Sequence, residues 1–207
     1  MQQNRRDFLI TVSAVGGSFM LGISESGEAS AAADSRELPA GGGTEFSPWI
    51  TISPDNTVTV RVPTPDIGNG VVTHALMTVT EELNCDWKRA RSEYASPQRN
   101  YVEDNLYAKA SGRYDHAFFA RATEPGRMQA LLQAGASARE RLKEAAAQAW
   151  GVPRSEIEVK NSVLTHARTR RTLTYGQVAA QAAGVRLDGE PAPKPPQDWW
   201  FLGKANP

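Results

Sequence analysis

The chain has 207 residues, 40% of them hydrophobic and 22% charged, which suits a soluble globular protein of one full domain with appendages, or two small ones. Its 23 basic and 23 acidic residues cancel, and no basic stripe with interleaved aromatics appears, so nucleic acid is not an expected partner. The single cysteine, Cys85, excludes an intramolecular disulfide and a cysteine-based zinc or iron–sulfur site within the chain.

Residues 1–33 read as a targeting segment. Arg5-Arg6 precede an apolar run from Phe8 to Ile23, which is interrupted by Gly16-Gly17 and Gly22 and is poorly suited to span a membrane as a helix. Ala29-Ser30-Ala31 and Ala31-Ala32-Ala33 offer small residues to a signal peptidase. The pattern resembles a twin-arginine signal, a bacterial route that exports folded proteins and mainly serves those that acquire a bulky cofactor first. The alternative is a basic terminus before an uncleaved anchor. Residues 34–45, rich in glycine and polar groups, read as a linker, and the domain is expected over 46–187.

Within that domain, Trp49–Ser53 and Thr57–Val62 alternate and are β-branched, with Pro54-Asp55-Asn56 between them. That predicts a hairpin. Pro63 and Pro65 end the ladder. Asp66-Ile-Gly-Asn-Gly-Val-Val-Thr73 follows, a glycine turn that opens a helix. Such a turn aims free N–H groups at an anion, and its glycines reach positive φ without strain. On the residues alone, a simple tight turn and a phosphate or cofactor site stand equally open.

Val72, Leu76, Val79 and Leu83 recur at helical spacing, and a strand is expected near Arg89 to Tyr94. Residues 95–125 read as a long polar loop, of a kind uncommon in a compact domain unless it binds something. Pro125-Gly126 introduce the strongest helix, about Arg127 to Trp150. Gly135-Ala136 in its middle predict a close contact, and Gly151 and Pro153 a stop. Strands are expected at Glu156–Lys160 and Val163–His166, then a basic turn Arg168–Arg171, and a helix from Tyr175 to Ala183 capped by Thr174. Residues 188–207 form an extended proline and aromatic tail, and Trp199-Trp200-Phe201 ask for a core that the chain is not expected to supply. The fold class is α+β (α/β), a small mixed sheet with packed helices.

Catalytic residues are not found by pattern. His74, His116 and His166 lack metal-ligand spacing and read as polar surface or loop positions, with His74 set apart by its place in the first turn after the glycines. Glu81-Glu82 diverge by about 100° around a helix, so they do not face one substrate and read as a solvated face. Cys85, at a helix C-terminus, reads as a buried, inert thiol. No metal site is expected from the chain's own residues.

In order along the chain, Trp49–Val60, Asp66–Thr73, Glu81-Glu82-Leu83, Asp86-Trp87, Gln133–Arg139, Ala145–Val152 and Leu173-Thr-Tyr-Gly176 resemble one family. It is the molybdopterin-binding large subunit of the xanthine dehydrogenase/aldehyde oxidase family, in its exported aldehyde and isoquinoline 1-oxidoreductase beta-subunit-like branch. The resemblance implies a partial molybdopterin-binding domain with a molybdenum–molybdopterin cofactor. It implies that Gly68, Asn69, Gly70 and Thr73 contact that cofactor, with Asn69 where the family usually has glutamine. It implies as partners the remainder of the large subunit, a small 2Fe–2S subunit and a c-type cytochrome. The family's catalytic glutamate has no counterpart here. The chain therefore reads as an N-terminal portion, inactive alone and periplasmic, with its tail leading to a next domain. The rivals are a non-enzymatic exported anion-binding module and an interaction domain.

Overall fold

The computed structural model describes residues 9–15, 18–24, 43–104 and 125–204. β1 (Leu9–Val15) and β2 (Ser18–Ser24) pair antiparallel within the segment read as a targeting signal. Among the described residues no helix is long and apolar enough to cross a membrane.

A four-stranded sheet follows, in the order β3 (Thr44–Ser47), β4 (Ile50–Ile52), β5 (Val58–Val62), β6 (Ala90–Tyr94). β3, β4 and β5 are antiparallel, and the β4–β5 hairpin is the predicted one. Its turn is closed by Asp55, whose carboxylate accepts from the Thr57 N–H at 2.9 Å, and by Asn56 in the left-handed region at φ 70°. β3 begins at Thr44, in the last residues assigned to the linker. β6 runs parallel to β5, which requires a crossover, and α1 (Val71–Leu83) supplies it.

The pleat sends Ile50, Ile52, Val58, Val60 and Val62 to one face, all buried. Over them lie α1, α3 (Pro125–Trp150) and α4 (Tyr175–Ala183), which contribute Val79, Leu83, Leu142, Ala145, Tyr175 and Ala182 to one core. Gly135 meets its predicted close contact: a Cβ there would lie 2.6 Å from the Cβ of Glu82. The absent side chain is what lets α3 cross α1.

A second sheet, β7 (Ile157–Lys160), β8 (Val163–His166) and β9 (Arg171–Thr174), is antiparallel throughout. Asn161 and Ser162 have φ of 49° and 62°, the mirror-image geometry of a two-residue hairpin loop. β9 was not expected from the sequence.

Other expectations are corrected. The stretch read as a long loop contains α2 (Pro97–Val102), whose N-cap Ser96 accepts from the Arg99 N–H at 3.1 Å. His166 is not on the surface. It is 1% exposed, with one ring nitrogen 2.8 Å from Glu156 and the other 2.7 Å from Thr169. His116 lies outside the described residues.

Glu81 and Glu82 are not a solvated face either, since both are 0% exposed. The tail covers them. The Glu81 carboxylate accepts from the N–H groups of Trp200 at 3.2 Å, Phe201 at 2.7 Å and Leu202 at 3.0 Å. Glu82 accepts from the Lys194 N–H at 2.6 Å and from Arg139 Nη1 at 2.5 Å. Bonds to a charged acceptor contribute about 1.5–3 kcal/mol each, enough together to offset the several kcal/mol that burying a carboxylate costs.

The last carbonyls of α1 are satisfied in the same place. Glu81 O accepts from the Lys194 amine and from Trp200 Nε1 at 3.2 Å, Glu82 O from Arg139 at 2.8 Å, and Leu83 O from the Tyr175 hydroxyl. Of the tail's three aromatics one finds a core within the chain, while Trp200 stays exposed and Trp199 half-buried. Phe201 is buried, with its ring 4.9 Å from that of Trp87.

On the opposite face of the first sheet, Arg61 is buried between carboxylates: Glu45 at 2.5 Å and Glu93 at 2.7 Å. Arg99 on α2 reaches the same Glu45 with two bonds of 2.8 Å. Burial pushes the Glu45 carboxyl up, but the hydrogen bonds and charges of Arg99 and Arg61 outweigh it and hold it below its ordinary 4.5. The resulting stability is fully present above about 4.5 and is lost as pH falls through the lower folded value. Glu45→Gln is expected to flatten the acid limb of stability below that point, measured by urea unfolding across pH. An unchanged acid limb would remove Glu45 from the account.

Candidate functional site

α1 starts at the glycine turn. Gly68 and Gly70 have φ of 91° and 71°, which a side chain would strain, and a Cβ at either would meet nothing within 4 Å. The turn therefore needs glycine for its backbone angles and not because neighbours crowd it. Gly68, Asn69, Gly70 and Thr73, the residues assigned from the sequence, are brought together here, and all four are exposed.

Asp66 organises the turn. Its carboxylate accepts from the N–H groups of Gly68 at 2.9 Å, Gly70 at 3.4 Å and Val72 at 3.4 Å. The bond from Gly68, followed by those from Val72 and Gly70, holds the Asp66 carboxyl below its usual range. The chain thus places an anion of its own at the positive end of the helix. The Asp66 N–H donates to the Tyr94 hydroxyl at 3.3 Å, tying the turn to the end of β6. The signal for Asp66 was in the sequence: aspartate two residues before glycine is an Asx-turn pattern. His74 N–H returns to Gly70 O at 2.9 Å as the first helical bond. The amides of Val71 and Thr73 keep no partner among the described residues.

Beside the turn lies a small cleft. Trp49, Val62, Pro63, Val71, Ala75 and Leu131 give it apolar walls, and Arg61, Thr64 and His74 add polar groups. Thr64 is fully buried, and its hydroxyl has no hydrogen-bond partner among the described residues. Nothing in the sequence marked Thr64, which sits between two prolines. No group of three or more His, Cys, Asp or Glu suited to a metal ion occurs among the described residues. Cys85 is buried beside Thr80, and burial pushes its thiol up to about 12.

Over 177 residues the chain is 30% identical to isoquinoline 1-oxidoreductase subunit beta of Brevundimonas diminuta, an alignment that covers 86% of this chain and 22% of that protein. Over 92 residues it is 29% identical to the membrane-bound aldehyde dehydrogenase [pyrroloquinoline-quinone] of Gluconacetobacter polyoxogenes, covering 44% of this chain and 12% of that one. Among solved structures, quinoline 2-oxidoreductase from Pseudomonas putida 86 superposes on 70% of this chain and 17% of its own, at a TM-score of 0.46 and 18% identity. The chain spans about a fifth of the length of the first relative and less of the second. Relatives named as oxidoreductases thus include one that is a subunit of a larger assembly. The molybdopterin cofactor-binding domain family matches residues 5–198, and the chain belongs to that family, whose cofactor is molybdenum–molybdopterin.

Proposed function

We propose that this chain forms one wall of the cofactor site in the large subunit of an exported molybdenum hydroxylase, and that Gly68, Asn69, Gly70 and Thr73 are the part of that wall that meets the cofactor. The observation that carries the reading is an exposed glycine turn opening a helix in a chain that matches the family over residues 5–198. The donors suit an oxygen-rich anionic group. The side chains of Asn69 and Thr73 are exposed on the turn, and the Thr73 amide, in the first turn of the helix, keeps no partner among the described residues. Asp66 keeps the amides of Gly68, Gly70 and Val72 in place.

The cofactor, when bound, supplies oxidation of an aldehyde or N-heterocycle with oxygen taken from water. The chain's own residues bind and orient. The catalytic base is expected from elsewhere in the large subunit. Electrons pass to a small 2Fe–2S subunit and on to a c-type cytochrome, and Arg5-Arg6 direct export to the periplasm by the twin-arginine route.

The reading is tested by expressing the chain, with and without the remainder of the large subunit, in a host that makes the cofactor. Molybdenum and pterin are then measured. Asn69→Ala and Thr73→Val, both at exposed positions, are expected to lower pterin content about tenfold, the loss of about 1.4 kcal/mol of binding. The chain alone is expected to show no substrate-dependent dye reduction, and lysines at positions 5 and 6 are expected to keep it in the cytoplasm. Co-purification from the native host checks the electron-transfer partners. Pterin content indifferent to both substitutions removes the turn from the site, and dye reduction by the chain alone overturns the partial-site reading.

A further inference from the structure

We propose that β6 is a docking edge for a second copy of this chain, the two strands pairing antiparallel about a two-fold axis at Ser92. Among the described residues β6 is the outermost strand of the first sheet, and Arg91, Ser92, Glu93 and Tyr94 are all exposed. The opposite edge is protected, since β3 carries a register shift between Glu45 and Ser47 and buries Thr44 and Phe46. β6 has neither device and pairs with β5 in unbroken register.

The ladder fixes which way its backbone faces. The Ala95 N–H donates to Val62 O at 3.0 Å, so that amide points at β5. Backbone groups alternate in direction along a strand. Ser92 and Tyr94 therefore aim their N–H and C=O groups away from the sheet, as a template for another strand.

Charge selects the occupant. Arg91 and Glu93 lie on the same face of β6, the one on which Glu93 meets Arg61. In an antiparallel pair centred on Ser92, each Arg91 stands opposite Glu93 of the second copy, and each small Ala90 opposite the large Tyr94. Moving the axis to Arg91 or to Glu93 sets like charges face to face, so the sequence favours one register of self-pairing. Both groups are available. Glu93 gives one oxygen to Arg61 at 2.7 Å and its side chain is 40% exposed. Arg91 uses Nη1 on Lys88 O and Ala90 O, and its other nitrogens keep no partner among the described residues. Tyr94 also receives the Asp66 N–H at 3.3 Å, so the pairing strand ends at the residue that braces the glycine turn.

The pairing is short, and a weak dimer is expected in sedimentation equilibrium of the full chain from micromolar to near-millimolar concentration. Ser92→Pro removes an outward N–H and leaves the β5 ladder intact, and it is expected to weaken the dimer at least tenfold. Arg91→Glu places like charges opposite each other at both ends of the pairing. It is expected to have the same effect and decides the matter if the proline variant does not fold. Far-UV circular dichroism and the thermal midpoint report the fold of each variant. A parent chain that stays monomeric throughout the range, or a folded variant that dimerises as tightly as the parent, overturns the proposal.

Discussion

Arg139→Met is expected to lower the unfolding free energy by about 3–5 kcal/mol, the cost of leaving a buried charge without its partner. Glu82 is wholly buried, and Arg139 donates both to its carboxylate at 2.5 Å and to its backbone carbonyl at 2.8 Å. Methionine keeps most of the apolar stem, so the loss is of charge and donors more than of packing. After the change, the carboxylate retains the Lys194 N–H alone among the contacts described above. Adding Glu82→Met to the same chain should recover part of the loss, because neither charge is then buried. Urea unfolding of the two single variants and the double supplies the cycle. A cost below about 1 kcal/mol for Arg139→Met would show that the pair behaves as an exposed one.

Gly176→Ala should be nearly as damaging, for a different reason. A Cβ at Gly176 would lie 2.3 Å from the carbonyl oxygen of Pro54 and 2.8 Å from that of Ser53. Both obstacles are backbone in a closed hairpin turn, so neither can turn aside as a flexible side chain would. The Gly176 N–H also donates to Asn56 Oδ1 at 2.8 Å, and separating the two elements stretches that bond. Overpacking of this kind costs about 1–3 kcal/mol, and more where the neighbour is rigid, which places the expected loss at the upper end. The general gain of alanine over glycine in a helix, below about 1 kcal/mol, has the opposite sign and is too small to reverse it. Thermal unfolding of the variant checks this, and a midpoint equal to or above the parent's refutes the close approach.

Gly135 and Gly176, both at close approaches, show how the fold was legible. Gly135 stood inside a long helical pattern, where glycine is unfavourable, and a close crossing was the economical explanation. Gly176 sat just after a cap, where nothing local marks it, and its constraint comes from a hairpin more than a hundred residues earlier. The β4–β5 hairpin, α1 and the end of α3 at Gly151 were readable because alternation, helical period and glycine punctuation are local signals. Glu81 and Glu82 were misread by the same logic. Helical period identifies the apolar stripe but not what will cover the polar flank, and here a distant extended segment does so with backbone amides. His166 was misjudged likewise, since its two partners come from the turns around its hairpin.

At the candidate site, Gly68, Asn69, Gly70 and Thr73 were legible as a group because the turn is continuous in sequence. The role of Asp66 follows from a known local pattern. Thr64 was not legible, since an unpartnered hydroxyl becomes visible only when the cleft around it has formed.

The backbone amides received by Glu81 have a consequence for the order of events during synthesis. Its acceptor and its last donor, Leu202, are 121 residues apart. At about 5–20 residues per second, roughly 6–24 s separate the emergence of the helix from that of the segment that completes it. Until residues 200–202 are made, the Glu81 carboxylate at the C-terminal end of the helix lacks the backbone amides it accepts from in the folded chain. Non-local closure of this kind comes late and slowly. A nascent chain stalled before residue 200 is therefore expected to be more open to protease at the C-terminal end of the helix than one that has passed residue 202.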